Sequence, residues 1–178
     1  MNKLIGLALL LVGMMLAVGA GANFRYYEAD RDITVAIVAD DNELIDLTPV
    51  QPYARLSNGK LYIDISEYNP NRPAWGGLGL SPNTTYVFEE MFNVSNDLWE
   101  NNQTDYPICV TLSVSGSYDV EVFAGDYSSP SAGPAASITF TVYHGSPVPI
   151  GFIFDNTNMA LGTYQTQLQI HAIAGACP

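Results

Sequence analysis

The stretch ICVTLSVSGSYDVEVFAGD, residues 108–126, decides the fold. Ile108, Val110, Leu112 and Val114 alternate with Cys109, Thr111, Ser113 and Ser115, and after a polar turn the same beat resumes with Tyr118, Val120 and Val122. A period of two is that of a strand with one buried face, because successive side chains point to opposite sides of the pleat. The pattern extends in both directions. Upstream, Ile33, Val35 and Ile37 alternate with Thr34, Ala36 and Val38, Leu61, Ile63 and Ile65 with Tyr62 and Asp64, and Tyr86, Phe88, Phe92 and Val94 share one parity. Downstream come Ile138, Phe140 and Val142, then Ile150, Phe152 and Phe154, then Tyr164, Leu168 and Ile170.

The spacers fit. Asn58-Gly59, between ARLS and KLYIDI, suits a two-residue type I′ hairpin turn, in which both central residues take positive φ. NPNRPAWGGLGLSPN (69–83) and SSPSAGPAA (128–136) carry too much Pro and Gly for regular elements and read as long loops. A weak helical signal lies near 96–101. Many short strands joined by long crossings predict an all-β fold, a jelly-roll-like β-sandwich of about eight to ten strands.

The N-terminus is different. Lys3 precedes LIGLALLLVGMMLAVGA, an apolar run without charge or proline, and Ala20, Gly21 and Ala22 form a small-x-small triplet. This is the layout of a secretory signal cut between Ala22 and Asn23. Two alternatives stand beside it: a retained membrane helix, since about 18 to 20 apolar residues just span a bilayer, and a type IV pilin leader cut after Gly6. The favoured division is 1–22 signal peptide, 23–32 an extended N-terminal segment and 33–178 one β-domain. Export implies a secreted or cell-surface location, with membrane contact only during passage.

Cleavage after Ala22 leaves 156 residues carrying all 18 acidic side chains and five of the six basic ones, a balance of −13. A nucleic-acid partner is excluded on charge, and an anionic membrane surface is disfavoured. Cys109 and Cys177 are the two cysteines. In an exported chain an even count favours a disulfide, which by chain-entropy arithmetic for a loop of about 69 residues is worth roughly 4 kcal/mol. Free thiols or an intermolecular bridge are the alternatives.

No stretch carries catalytic chemistry. His144 and His171 belong to no HExxH, and neither GxSxG nor a phosphate loop occurs. His171 falls among Gln165, Gln167 and Gln169 on the outer side of a strand. In ADDNELID (39–46), Asp40, Asp41, Glu43 and Asp46 are weak calcium candidates, since calcium takes six to eight oxygens, but the spacing is not that of an EF-hand and a solvated turn between strands at 33–39 and 44–47 is the better reading. No cofactor is expected. Asn83, Asn93 and Asn102 open N-x-Ser/Thr sequons; Asn83 and Asn102 lie in expected loops and Asn93 at a strand end.

The signal ending in glycines and alanines, the aromatic start Asn23, Phe24, Arg25, Tyr26, Tyr27, the strand ITVAIVAD, then SPNTTYVFEEMFNVSND before YPICVTLSVSG, and the closing GTYQTQLQIHA together resemble the TasA and camelysin group of secreted β-sandwich proteins, in the style of archaeal bundling-pilus subunits. The resemblance spans most of the mature chain and rests on diffuse patterns. It implies a non-enzymatic subunit that polymerises with copies of itself into an extracellular fibre, donating an N-terminal strand that starts at Asn23 to the next subunit, with neighbouring filaments or surface glycans as further partners. Camelysin-type peptidase activity is also implied by the group, but no zinc motif accompanies it here. From the residues alone, a monomeric adhesin or glycan-binding module using Trp75 and Trp99 as stacking platforms is the second expectation. Mass spectrometry of protein recovered from the medium is expected to find Asn23, within a residue or two, as the N-terminus; Leu7 there would establish the pilin route instead.

Overall fold

The computed structural model describes residues 5–7, 9–11, 31–98 and 106–178, and the chain divides after Ala36 into units 1–36 and 37–178. The expected cleavage site Ala22/Asn23, the aromatic residues Phe24, Arg25, Tyr26 and Tyr27, and also Trp99 and Asn102 lie outside the described residues. In the first unit, residues 5–7 and 9–11 are helical. No helix among the described residues is long and apolar enough to cross a membrane.

The second unit is an all-β sandwich. Its described strands are β1 (Leu47–Pro49), β2 (Ala54–Ser57), β3 (Lys60–Ile63), β4 (Thr85–Val94), β5 (Ile108–Gly116), β6 (Val120–Asp126), β7 (Ser129–Ala135), β8 (Ser137–Val142), β9 (Val148–Asp155) and β10 (Thr166–Ala174). A five-stranded sheet in the order β1-β4-β9-β6-β7 faces a three-stranded sheet β10-β5-β8, and β2-β3 form a separate hairpin. All pairings are antiparallel. From β4 onward the chain passes between the two sheets at every connection except β6–β7, so each crossing sews one sheet to the other.

The alternation read from the sequence places the core. Ile108, Val110 and Leu112 of β5 point inward with Ile138, Phe140 and Val142 of β8, against Val120 and Val122 of β6, Ile150 and Phe152 of β9, and Phe92 and Val94 of β4; all are buried. Register carries the same parity across strands: Val110 lies opposite Phe140 and Ala172, and Phe152 opposite Val122 and Phe88. The β2–β3 hairpin turns at Asn58-Gly59 with φ of 52° and 78°, as the dipeptide predicts.

Three local expectations are corrected. SSPSAGPAA is not a loop: residues 129–135 form β7, at the edge of the larger sheet, where Pro130 and Pro134 are tolerated because an edge strand has one side without a ladder. The strand expected over 33–39 is absent; residues 33–39 have no regular structure, since no described strand forms a ladder with them, and the strand expected at 44–47 begins only at Leu47. Residues 96–98 are not helical. Asn96 is instead fully buried, its amide donating to the carbonyls of Tyr106 and Val142 and its Oδ1 accepting from the Leu98 amide, which ties the crossing after β4 to β8.

Outside the core, Phe123 of β6 lies opposite Gly151 of β9 and is fully buried although it sits on the outer side of its sheet. Its ring lies across the glycine: a Cβ at Gly151 would stand 2.1 Å from a ring carbon. Gly151→Ala is therefore expected to cost about 1–3 kcal/mol, the usual range for overpacking, read as a lower urea midpoint with an unchanged slope; an unaltered midpoint would show that the ring moves aside freely.

Candidate assembly site

Residues 31–38 are all exposed, and Ile33, Val35 and Ile37 are 89%, 78% and 98% accessible. Three large aliphatic side chains in an alternating run, with no described ladder, are what a strand looks like without its sheet. The chain becomes anchored immediately afterwards. The Asp40 amide donates to the Gly59 carbonyl at 2.8 Å, the Asp40 carboxylate accepts from the Leu61 amide at 2.7 Å, and the Leu47 amide donates to the Asp40 carbonyl at 2.6 Å. Asp40 thus fastens the chain to the β2–β3 turn at the point where the exposed run ends.

The sandwich has margins of its own that the described residues leave less covered. In the smaller sheet β10 pairs with β5 and, among the described residues, no strand pairs with its far edge along nine residues. Its inward side chains Leu168, Ile170 and Ala172 are only half-buried, while those of β5 and β8 are closed over. In the larger sheet β1 pairs with β4 from Phe92 to Val94, Val50 and Gln51 add hydrogen bonds to the Met91 and Glu89 carbonyls, and further along β4 Tyr86 and Phe88 are half-buried. Because β8 packs against β6 and β7, the β10 edge and the β1–β4 edge open on the same side of the sandwich. A cavity of about 370 Å³ lies at the β4 lip, walled by Tyr53, Ile65, Leu80, Tyr86, Phe88 and Trp75. The loop that shapes it is held from within. Asn69 donates to the Asp64 and Pro52 carbonyls, and Arg72 donates to the carbonyls of Glu67, Pro73 and Gly76. These polar groups are spent on the loop, and the wall offered outward is mainly aromatic and aliphatic. The chemistry it suits is an apolar side chain rather than a sugar hydroxyl.

The Cys109–Cys177 disulfide is present, with a Cα separation of 4.8 Å. Ile173 of β10 lies opposite Cys109, the Gly175 amide donates to the Pro107 carbonyl, and the Cys177 amide donates to the Thr141 hydroxyl of β8. The tail therefore crosses β5 and pins the end of β10 to the two strands beyond it.

Residues 37–177 match a family model described as a protein of unknown function, DUF1102. The chain belongs to that family. No curated protein matches the sequence. The DUF1102 match thus includes every described strand, the anchoring Asp40 and both cysteines.

The remaining singled-out residues of the DUF1102 domain do not gather into a reaction centre. Among the described residues no three of His, Cys, Asp and Glu are placed to hold a metal, the calcium candidates Asp40, Asp41, Glu43 and Asp46 included. His171 is exposed on β10 opposite Thr111, and His144 lies in the turn after β8. Asn83 is exposed before β4, its Oδ1 accepting from the Asn158 amide, whereas Asn93 is held in β4 between Thr48 and Pro149, a poor position for a glycan. Sequence reasoning missed one pair. Asp46 and Asp97 are brought together by the Ser95 and Asp97 amides donating to the Asp46 and Leu44 carbonyls. Burial first, and Asp97 second, raise the Asp46 carboxyl above its ordinary value; Glu43 is raised by burial, then by Asp40 and Asp46. Nothing in the spacing of Asp46 and Asp97 marks them as neighbours.

A carboxyl raised on folding binds its proton more tightly in the folded chain, so its contribution is full below the unfolded value of about 3.9 and is lost as pH rises through the raised one. Asp97→Asn is accordingly expected to raise the melting temperature at pH 7 and to change it far less at pH 4, measured by calorimetry at both.

Proposed function

We propose that this chain is the structural subunit of an extracellular filament, assembled by insertion of the N-terminal strand of one copy into the open side of the next, in the manner of the TasA-like group it resembles. The observations that support the reading are the exposed run Ile33–Val38 and, among the described residues, a sandwich whose β10 edge carries no further strand and whose β4 lip is half-buried. Inserted strands gain main-chain hydrogen bonds along an edge and pockets for alternate side chains. Burial of Ile33, Val35 and Ile37 contributes about 1.5–3 kcal/mol each, against roughly 1–2 kcal/mol of backbone entropy for each ordered residue. The donor alone does not favour insertion. The balance is tipped by the acceptor, whose Leu168, Ile170, Tyr86 and Phe88 are covered in the same step. The donor on this reading begins near Asn23 and runs on through the exposed residues to Val38, further than the aromatic start alone suggests.

A glycan-binding module is the second reading, favoured by Trp75, which is 88% exposed at the rim of the cavity. One experiment separates the two. The double variant Ile33→Asp/Val35→Asp puts two charges where the donor row is buried, a change of several kcal/mol and so roughly a thousandfold in contact affinity. It is expected to give a folded monomer with a normal melting temperature and no filaments by electron microscopy, and a synthetic peptide of residues 23–38 is expected to bind it. Filaments of ordinary length from the variant would overturn the mechanism, and dispersed wild-type particles that bind glycans would favour the module.

A further inference from the structure

Four aromatic residues, Tyr53, Trp75, Tyr86 and Phe88, line the 370 Å³ cavity at the β4 lip, and no carboxylate stands among its described wall residues. The cage is set before anything enters it. Tyr53 meets Phe88 edge-on at 5.2 Å between ring centroids, Tyr86 lies nearly parallel to Phe88 at 6.3 Å, and the Tyr86 hydroxyl accepts from the Ser81 amide. The polar side chains of the wall donate within the loop: Ser66 to Asp64, Asn69 to the Asp64 and Pro52 carbonyls, and Asn71 to the Pro52 carbonyl. Arg72 lines the same cavity, and its described bonds, through Nε and Nη1, all go to backbone carbonyls. A cation bonded to no described carboxylate therefore borders an aromatic cage, in a chain of formal charge −12.

We infer that this cavity is a binding site for a small zwitterion in which a quaternary ammonium is joined to an anionic group, the chemistry shared by carboxybetaines and the phosphocholine headgroup. Ring faces attract a cation within about 6 Å of their centroids, Trp most strongly. The wall then selects the kind of cation. An ammonium carrying N–H groups would exchange water for ring faces and leave its donors unpaired, which is costly. A quaternary ammonium has no N–H, and its methyl surface suits Ile65 and Leu80 as an apolar side chain does. Arg72 selects the other end. Its charge suits a carboxylate or phosphate, and its bonds to the loop hold it ready, so little side-chain freedom is lost on binding. A simple anion is repelled by the acidic protein and a simple cation by Arg72, whereas a zwitterion is neutral overall and has a group for each. Size agrees, since pockets of roughly 300–1,000 Å³ enclose small ligands. The site overlaps the lip that the filament reading gives to the donor strand, but it does not rest on that reading.

The test is titration calorimetry with glycine betaine, phosphocholine, choline, and 3,3-dimethylbutan-1-ol, the uncharged isostere of choline. Full-length wild type and the full-length Ile33→Asp/Val35→Asp variant are both titrated, because on the filament reading the wild-type lip is covered. Both zwitterions are expected to saturate the variant at roughly millimolar concentration or below, choline to bind about fivefold weaker for want of the anion, and the isostere about tenfold weaker again. Trp75→Ala in the same variant, at an exposed site where an unchanged melting temperature checks folding, is expected to weaken betaine binding about tenfold, and Trp75→Phe to restore part of it. The inference is overturned by the absence of saturation with either zwitterion in both proteins, by an isostere that binds as choline does, or by Trp75→Ala binding betaine as its parent does. Each of these results leaves the filament reading untouched, since that reading is decided separately by electron microscopy. Vesicles distinguish the two sources of the ligand. Co-sedimentation with phosphatidylcholine vesicles and not with phosphatidylglycerol vesicles assigns the site to lipid headgroups, and saturation by free betaine without co-sedimentation assigns it to a free solute.

Discussion

Three strands cannot cover five. The smaller sheet meets the larger one fully only along β5 and β8, and most of the molecule's features follow from that mismatch. Where β8 lies over β6 and β7, the core is closed and its side chains are buried. Toward β10 and the N-terminal part of β4, inward side chains remain half-covered. The sandwich is complete as a folding unit, since Ile108, Val110, Leu112, Phe92 and Val142 are shielded, and incomplete at one margin. The proposed assembly needs no other asymmetry.

Charge follows the same division. Carboxylates gather in the turn before β1, in loops and on the larger sheet, while the smaller sheet is neutral throughout. Close to the exposed run the acidic turn is under mild electrostatic tension, since Glu43 and Asp46 are both raised by burial and like-charged neighbours. Backbone bonds from Asp40 to Gly59 and from Ser95 to Asp46 hold that turn in place against the repulsion. The place where the chain leaves its fold is thus fixed even though the residues before it are exposed.

Much of this was legible in the sequence, for a physical reason: each inward side chain of a strand is named by parity alone. Strands β5, β6, β8 and β9 were read correctly because their inward side chains keep the two-residue beat, even where Phe123 of β6 and Ile153 of β9 are buried on the other face, and Asn58-Gly59 because positive φ restricts the residues that fit. Parity fails in two ways. Ile33 to Val38 has the right beat but no ladder among the described residues, and a strand is a property of pairs. Residues 129–135 have the wrong composition but an edge position that forgives it. In β4 a bulge between Phe88 and Phe92 sets four steps against two on β9, so both Met91 and Phe92 are buried, which no simple alternation anticipates. The candidate site was half visible. Its apolar segment and the cysteines stand out as residue types, whereas the open edge of β10, the cavity at Tyr53 and the Asp46–Asp97 pair exist only once distant segments meet.

The two prolines of β7 give the molecule a direction. A proline carries no amide proton, so an edge with Pro130 and Pro134 has gaps in its row of donors and is a poor template for another chain. On the same side the chain steps from β7 to β8 with only Ala136 between them, and the Ala136 carbonyl accepts from the Val114 amide. That margin is shut by covalent connection as well as by composition. On the proposed assembly, a sandwich with one margin left open among the described residues and one shut has a head and a tail, and sheet would be propagated from one end alone.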